Sequence, residues 1–402
     1  MGKITSIVFI YANFFTKRDF ERFGIQYFID KGYDVKLFNC TPLCYPKFFE
    51  LTKIKEDIDL NSKYNISSIS QLITYIENMK NNIHIVNITF YSKETHPIYE
   101  IISKYNVHYS SLLLGLLPQI KTLKSYTKSF LKNIIPTPIM YLLYKRSKDN
   151  PKYLTNSVLN LIGIKSTDIA IIAGKKSNHE NNPLFGRNTK YIWCQALDYD
   201  NYLLSIKNSR QTFEKENYLV FLDENFVFHP DFNRSKAKNP FTPEQYYGIL
   251  CKFFDYIEKI ADMKVIICAH PKAEYEDKPE LFGGRKIVYF QTSDYVRNSY
   301  GVLMHCSTAI NYAVLNRKPI IFMDHSKLNG TIWQVYIKEM ARCLDKTPVI
   351  LDDVRTYHFG NNFEVNEKYY EKYIDEYIIY RKDNRDKFSW EILEEYLSSI
   401  EI

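Results

Sequence analysis

Three short apolar runs between residues 218 and 323 each end in polar side chains. The passages are YLVFLDEN at 218–225, KVIICAHPKAEY at 264–275 and GVLMHCSTAINYAVLNRKPIIFM at 301–323. An uninterrupted apolar run of this length is typical of a strand buried in a parallel sheet, and ligands bind at the carboxyl ends of such strands. The region therefore predicts a parallel α/β sheet with a binding site along one edge.

The polar residues that follow the three runs carry complementary chemistry. In chain order they are Asp223 and Glu224, then His270, Pro271 and Lys272, then Ser307 and Thr308. The carboxylates suit a general base, the imidazole and ammonium suit an anionic leaving group, and the hydroxyls could cap a helix predicted over residues 309–315 whose N-terminus would face a phosphate. This is the layout of a group-transfer enzyme. The structural alternatives are a surface acidic pair, a solvated turn and a helix cap without a ligand.

Three further residues are weaker candidates in the same region. His229 and Asp231 flank Pro230 in a second His-Pro sequence, which either competes for the role of acid or is a structural loop. Arg285 follows two glycines and either pairs with a donor carboxylate or is an exposed turn residue. The second half has no convincing D-x-D motif at a strand end, so we expect a metal-independent enzyme without a cofactor.

The length of 402 residues favours two domains. A predicted strand, a helix over residues 17–30 and a second strand form a βαβ opening, without the G-x-G-x-x-G sequence of a dinucleotide site. We predict an N-terminal α/β domain over residues 1–210, a donor domain over 216–362, and C-terminal helices over 363–402 that pack back on the domains.

Composition excludes several classes of function. A net charge of +7 is too small for this length to indicate nucleic-acid binding. The seven cysteines include no C-x-x-C pair, which favours reduced thiols in a reducing compartment and a cytoplasmic protein. No run of eighteen apolar residues is present, so we expect no membrane-spanning helix.

Residues 121–152 combine basic and apolar side chains. Eight are Lys or Arg, the only acid is Asp149, and aromatic and aliphatic residues lie between them. Either this is a solvated helical region with ordinary core contacts, or it is a surface for an anionic membrane or a lipid-linked acceptor. The second interpretation predicts a peripheral protein on the inner face of the cytoplasmic membrane.

The motifs resemble those of a known enzyme group. Two α/β domains and a helical tail are similar to the GT-B glycosyltransferases, and FLDEN, AHPK and HCSTAI resemble the acidic, His-Pro and Ser/Thr motifs of bacterial sialyltransferases over residues 216–325. The resemblance implies two Rossmann-like domains, with Asp223 as the base on the acceptor hydroxyl, His270 as phosphate ligand and acid, and Ser307 and Thr308 as phosphate ligands. Asn225 stands where the acidic motif has glycine.

The resemblance implies an inverting transferase of bacterial surface-polysaccharide synthesis. It would move a nonulosonic acid or Kdo-like sugar from a CMP-activated donor to a glycan or lipid-linked acceptor. The alternatives are a GT-B enzyme with a UDP- or CDP-linked donor, either a transferase or an epimerase, and a non-catalytic scaffold of a polysaccharide-assembly complex.

Overall fold

The chain forms two compact units in its computed structural model. The residues described are 3–51, 62–79, 82–118, 136–146, 153–179, 182–207, 217–228, 239–353, 355, 357, 359–380 and 382–400. The first unit comprises Met1–Leu116, Lys121–Leu197 and Ile379–Ile402, and the second comprises Leu117–Ile120 and Asp198–Ile378. The boundaries predicted from sequence put residues 198–210 in the first domain, whereas in the structure the described residues 198–207 belong to the second unit.

The first unit contains a parallel sheet of seven strands. They are β1 (Ser6–Tyr11), β2 (Asp34–Asn39), β3 (Lys63–Asn65), β4 (Ile83–Asn87), β5 (Tyr109–Leu113), β6 (Ile169–Ala173) and β7 (Lys190–Cys194). Their order is β3-β2-β1-β4-β5-β6-β7, and every neighbouring pair is parallel. The central strands are buried along most of their length because helices cover both faces of such a sheet.

In the described part of this unit, eight α-helices lie before β7 in the chain. They are α1 (Lys17–Arg22), α2 (Ile25–Asp30), α3 (Thr41–Cys44), α4 (Pro46–Leu51), α5 (Ile69–Met79), α6 (His96–Lys104), α7 (Thr137–Arg146) and α8 (Asn156–Leu161). The single helix predicted over residues 17–30 is divided in two at Gly24. That glycine adopts a left-handed conformation with φ 60°, which ends α1 and redirects the chain.

The second unit contains a parallel sheet of six strands. They are β8 (Tyr218–Leu222), β9 (Lys264–Cys268), β10 (Ile287–Val288), β11 (Gly301–Met304), β12 (Ile320–Asp324) and β13 (Val349–Ile350). The order is β10-β9-β8-β11-β12-β13, again with parallel neighbours. The buried strands predicted within the passages 218–225, 264–275 and 301–323 are confirmed as β8, β9 and β11, and they are adjacent in the sheet.

The helices of the second unit are α9 (Leu197–Lys207), α10 (Pro243–Ala261), α11 (Thr292–Asn298), α12 (Ile310–Leu315), α13 (Ile332–Cys343) and α14 (Glu367–Tyr373), which a π-helical turn (Ile374–Ile378) extends. Helix α10 begins with a capping box between Thr242 and Gln245. Its buried face carries Tyr246, Leu250 and Ile257 at helical spacing.

The C-terminal segment returns to the first unit. Ile379 forms an isolated antiparallel bridge with Gln195, and the final helix α15 (Ser389–Ser398) follows. The Trp390 ring in α15 lies directly over Gly24, where a Cβ atom would be only 2.2 Å from Cγ of the indole. The tail therefore divides, with residues 363–378 in the second unit and 379–402 in the first.

Part of the basic segment lies outside the described residues, namely 121–135 and 147–152. Within it, helix α7 exposes Ile139 and Leu142 beside Lys145 and Arg146. Membrane association through this segment stays a prediction. Among the described residues, no helix has the length and apolar character needed to cross a bilayer.

The contact between Gly24 and Trp390 predicts an unusually costly glycine substitution. Gly24 and Gly32 both have left-handed φ angles, 60° and 86°, but a Cβ on Gly32 would meet nothing within 4 Å. Gly32→Ala should therefore lower the free energy of unfolding by only about 1 kcal/mol, the cost of a left-handed alanine. Gly24→Ala should cost about 1–3 kcal/mol more, because the methyl group displaces the indole.

Urea denaturation of the two variants and the parent measures this difference. Equal losses in the two variants would mean that α15 does not pack on Gly24 in solution.

Candidate functional site

The strand order of the second sheet brings the three polar passages to one edge. Strand β8 lies between β9 and β11, so the residues after these three strands are neighbours. Strands β9 and β10 are added on one side of β8, whereas β11, β12 and β13 are added on the other. The strand order therefore reverses between β8 and β11. Ligands of open α/β sheets bind at such a switch point, outside the carboxyl ends of the strands. The acidic passage and the His305-Ser307 passage therefore flank the expected crevice.

Asp223, directly after β8, is buried and fully engaged. One carboxylate oxygen accepts from the Asn225 backbone N–H at 3.0 Å, and the other accepts from the His270 backbone N–H at 3.1 Å and the Tyr275 hydroxyl at 2.8 Å. Burial raises the pKa of Asp223, while these hydrogen bonds act in the opposite direction. Since its partners all donate to it, the carboxylate ties the turn after β8 to the loop after β9.

Asn225 explains how the acidic turn forms without glycine. Its φ is 49°, in the left-handed region that glycine adopts most readily. Asparagine tolerates this region better than most residues, and its N–H closes a short turn onto the Asp223 side chain. The turn after β8 therefore forms with asparagine at this position.

Glu224 points its carboxylate across the switch point. One oxygen accepts from the backbone N–H groups of His305 at 3.1 Å and Cys306 at 2.8 Å, and the other lies 3.7 Å from the Cys306 sulfur. Burial raises the pKa of Glu224 to about 8, and the negative charge of Asp223 contributes in the same direction. Unlike Asp223, which is buried, Glu224 is a partly exposed residue.

His270 and Lys272 follow β9 at the same edge. His270 is partly exposed, whereas Pro271 and Lys272 are exposed. The Nδ1 atom of His270 accepts from the Lys272 backbone N–H at 3.1 Å. In the neutral imidazole the proton is then on Nε2, which can donate to an anion.

The passage after β11 differs in part from the prediction. Helix α12 begins at Ile310, with Ala309 as N-cap and no side-chain cap, whereas we expected it to begin at Ala309 under a Ser307 or Thr308 cap. The Ser307 hydroxyl instead accepts from the Ala309 N–H at 3.3 Å, within the turn. Ser307 is partly exposed and Thr308 is exposed.

His305 is a residue to which the sequence assigned no role. It is buried, its Nδ1 lies 2.7 Å from the Met323 carbonyl oxygen, and its Nε2 has no hydrogen-bond partner among the described residues. Burial lowers the pKa of His305 to about 4, so the ring is neutral at pH 7 and Nδ1 carries the proton. Its position directly after an apolar run was the available signal.

Arg285 is the one remaining candidate that the structure describes, and it is paired within the protein. Arg285, suggested for a donor carboxylate, is instead held by Glu258 through its Nε at 3.0 Å and Nη2 at 2.6 Å, and by Asp255 at 2.6 Å, all on α10. His229 and Asp231 lie outside the described residues. In the part of the chain that the structure describes, no group of three or more His, Cys, Asp or Glu side chains could hold a metal ion.

Comparison with known proteins gives relatives by fold only. No protein-family model and no curated protein sequence matches the chain. A crystal structure of UDP-N-acetylglucosamine 2-epimerase superposes with a TM-score of 0.51 and 11% identity, over 99% of this chain and 96% of that one. The chain has the GT-B fold. Both Rossmann-like domains and the C-terminal helix predicted from sequence are present.

Two other similar structures have lower scores. Os79 from O. sativa in complex with UDP has a TM-score of 0.49 and 10% identity, covering 98% of each chain. The UDP-GlcNAc 2-epimerase of Methanocaldococcus jannaschii, in complex with UDP-GlcNAc and UDP, has a TM-score of 0.42 and 14% identity, covering 92% of this chain and 98% of that one.

The two adjacent carboxylates should respond in opposite ways to the same isosteric change. Asp223→Asn puts an NH₂ group among hydrogen-bond donors, so the free energy of unfolding at pH 7 should fall by about 2–4 kcal/mol. Glu224→Gln removes a group whose folded-state pKa is raised above its unfolded value. The folded parent binds the extra proton, so its stability falls as pH rises from about 4.5 through 8, a loss that the variant avoids.

Thermal denaturation between pH 5 and pH 9 tests both statements. Glu224→Gln should match the parent near pH 5 and exceed it by about 1–2 kcal/mol at pH 9. A gain independent of pH would contradict the raised pKa of Glu224, and an unchanged stability of Asp223→Asn would contradict its structural role.

Proposed function

We propose that this chain is a nucleotide-sugar-dependent enzyme, and specifically a glycosyltransferase that uses a CMP-activated nonulosonic acid or Kdo-like sugar. The observation that carries the proposal is the convergence of a carboxyl with raised pKa, an imidazole and two hydroxyls at three neighbouring strand ends of a GT-B fold. The acceptor would be a glycan or lipid-linked saccharide of bacterial surface polysaccharide synthesis.

Glu224 is the better general base of the two carboxylates. Both carboxylates accept hydrogen bonds from the protein, but Asp223 is buried with both oxygens engaged, whereas Glu224 is partly exposed and its pKa is raised to about 8. In the transfer step the acceptor oxygen bonds to the anomeric carbon as the bond from that carbon to the phosphate oxygen breaks. The hydroxyl proton goes to Glu224 and CMP leaves as an anion. Asp223 positions the surrounding turns.

The departing phosphate requires hydrogen-bond donors and positive charge. His270, with Nε2 as donor, and Lys272 supply these after β9, and the Ser307 and Thr308 hydroxyls supply further donors after β11. Pro271 limits the conformation of the loop between the two basic residues. The proposal involves no metal ion and no resident cofactor.

There are two alternatives to this proposal. One is an enzyme that uses a different nucleotide-linked substrate, and the other is a protein that binds no nucleotide. Because a similar structure is a UDP-N-acetylglucosamine 2-epimerase, a UDP-linked substrate and epimerisation form the second candidate. A non-catalytic scaffold is the third. Association of residues 121–152 with an anionic membrane would bring a lipid-linked acceptor to the enzyme, and it is part of the proposal.

We expect CMP to raise the melting temperature more than UDP, CDP or GDP does. A ligand that binds only the native state stabilises it by mass action, by about 2.7 kcal/mol at one hundred times its Kd. The shift should persist in EDTA and should be lost in His270→Ala, which removes a phosphate contact. A UDP preference would support the second candidate, a requirement for Mg²⁺ would contradict metal independence, and no response to any nucleotide would support the scaffold.

Glu224→Gln should separate turnover from binding. Loss of general-base catalysis should lower the rate of CMP release from a CMP-nonulosonate by about 10²–10⁴-fold, while the Kd for CMP stays within about threefold of the parent. In the parent, kcat/KM should rise with pH up to about 8, the pKa of Glu224.

Asp277→Asn, which alters an exposed carboxyl in the loop after β9, is the control and should change neither quantity. Near-parent turnover of Glu224→Gln would exclude Glu224 as the base.

A further inference from the structure

Phe290, after β10, is held in an unusual backbone conformation. Its φ is 58°, in the left-handed region that bulky side chains rarely enter, and no other aromatic residue of the described chain has a positive φ. Of the other non-glycine residues with this conformation, Asn106, Asn225, Asp262 and Asp345 are types that tolerate it, and Arg317 directly follows the C-cap of α12. Strained residues persist only where the surrounding structure enforces them, and they concentrate at functional sites.

Packing does not account for this conformation of Phe290. Its side chain is 55% exposed, so the strained backbone presents an aromatic ring to solvent. A residue whose backbone is already held in place loses less conformational freedom on binding a flat partner than a mobile residue does, which favours a recognition role.

The sheet register places Phe290 beside the candidate phosphate ligand. Strands β10 and β9 are parallel and pair Val288 with Cys268, so Phe290 and His270 each lie two residues beyond this pair. The Ala269 N–H donates to the Val288 carbonyl at 2.9 Å, which continues the pairing past the strand ends. Neighbouring strands are about 4.8 Å apart, a separation that one ribose can bridge.

The segments on both sides of Phe290 are anchored. The hydroxyl of Tyr289 accepts from the Tyr275 N–H at 3.2 Å, and Tyr275 in turn donates to Asp223. On the other side, Gln291 is the N-cap of α11 and its carbonyl accepts from the Tyr295 N–H at 3.1 Å. The residue is therefore fixed between the loop that carries His270 and the start of a helix.

We propose that Phe290 is a stacking platform for the base of the nucleotide whose phosphate His270 binds. The inference rests on the proposed function and deepens it, since it assigns the nucleoside to the β9–β10 side of the sheet. An aromatic ring stacks on any base because every base has a π face, so Phe290 contributes affinity for nucleotides without selecting among them. Selection between CMP and UDP must come from hydrogen bonds to the edge of the base.

Replacement of Phe290 should separate base binding from phosphate binding. Isothermal titration with CMP and with ribose 5-phosphate, which lacks a base, measures the two contributions. Phe290→Ala should weaken CMP binding by about 10–100-fold, the usual contribution of one stacked base, and leave ribose 5-phosphate within about threefold. Phe290→Tyr should keep CMP binding within about threefold because it retains the ring.

Phe290→Gly distinguishes the effect of backbone strain on stability from the effect of the ring on CMP affinity. Glycine adopts φ 58° without strain, so this variant should melt at a higher temperature than Phe290→Ala while losing as much CMP affinity. Tyr300 is the matched control. It is 48% exposed and precedes β11, at the opposite edge of the same sheet, so Tyr300→Ala should leave CMP affinity unchanged.

Three outcomes would overturn the inference. Unchanged CMP affinity in Phe290→Ala, with the parent binding CMP, would exclude stacking while leaving the proposed function intact. Equal losses for CMP and ribose 5-phosphate would give Phe290 a role in shaping the loop only. A parent that binds no nucleotide would overturn the proposed function and this inference with it.

Discussion

The hydrogen bonds of two adjacent carboxylates connect three strand ends of the second sheet. Asp223 accepts from the backbone after β9, and Glu224 accepts from the backbone after β11, on the other side of β8. A buried backbone N–H without a partner would be costly. The acidic pair accepts hydrogen bonds from N–H groups in these turns, which have no partner within a helix or strand. The geometry of the candidate site depends on this arrangement, because it fixes His270 and His305 relative to the same strand.

This arrangement also limits where a phosphate can bind. The first two N–H groups of the turn after β11 already donate to Glu224, so a bound anion there would meet a carboxyl and would have to displace it. On the β9 side, His270 and Lys272 offer an imidazole and an ammonium, and Asp223 turns its oxygens toward its own backbone. Under the proposed function, most of the phosphate charge would therefore be met on the β9 side, with only the Ser307 and Thr308 hydroxyls contributing after β11 and the titratable Glu224 left for the acceptor. The proposed role of Phe290 beyond β9 agrees with this.

The sequence predicts the parts of the fold that local pattern determines. Continuous apolar runs identify β8, β9 and β11 because strands covered on both faces need no alternation, and the polar residues after them mark the ligand edge. The two-residue strands β10 and β13 have no such pattern. The close approach of Trp390 to Gly24 joins residues that are distant in sequence, and the partners of Arg285 lie on α10, so neither contact could be predicted from neighbouring residues.

The same limit explains why the sequence ranked Asp223 above Glu224. Both follow one apolar run and differ by a single position, so composition and spacing treat them alike. Their roles separate only when the fold brings the Tyr275 hydroxyl to one and the turn after β11 to the other. The left-handed conformation of Phe290 is likewise imposed by its anchored neighbours and leaves no signal in the residue itself. Here the residue types predicted the chemistry that is available, and long-range contacts decide which side chain is free to perform it.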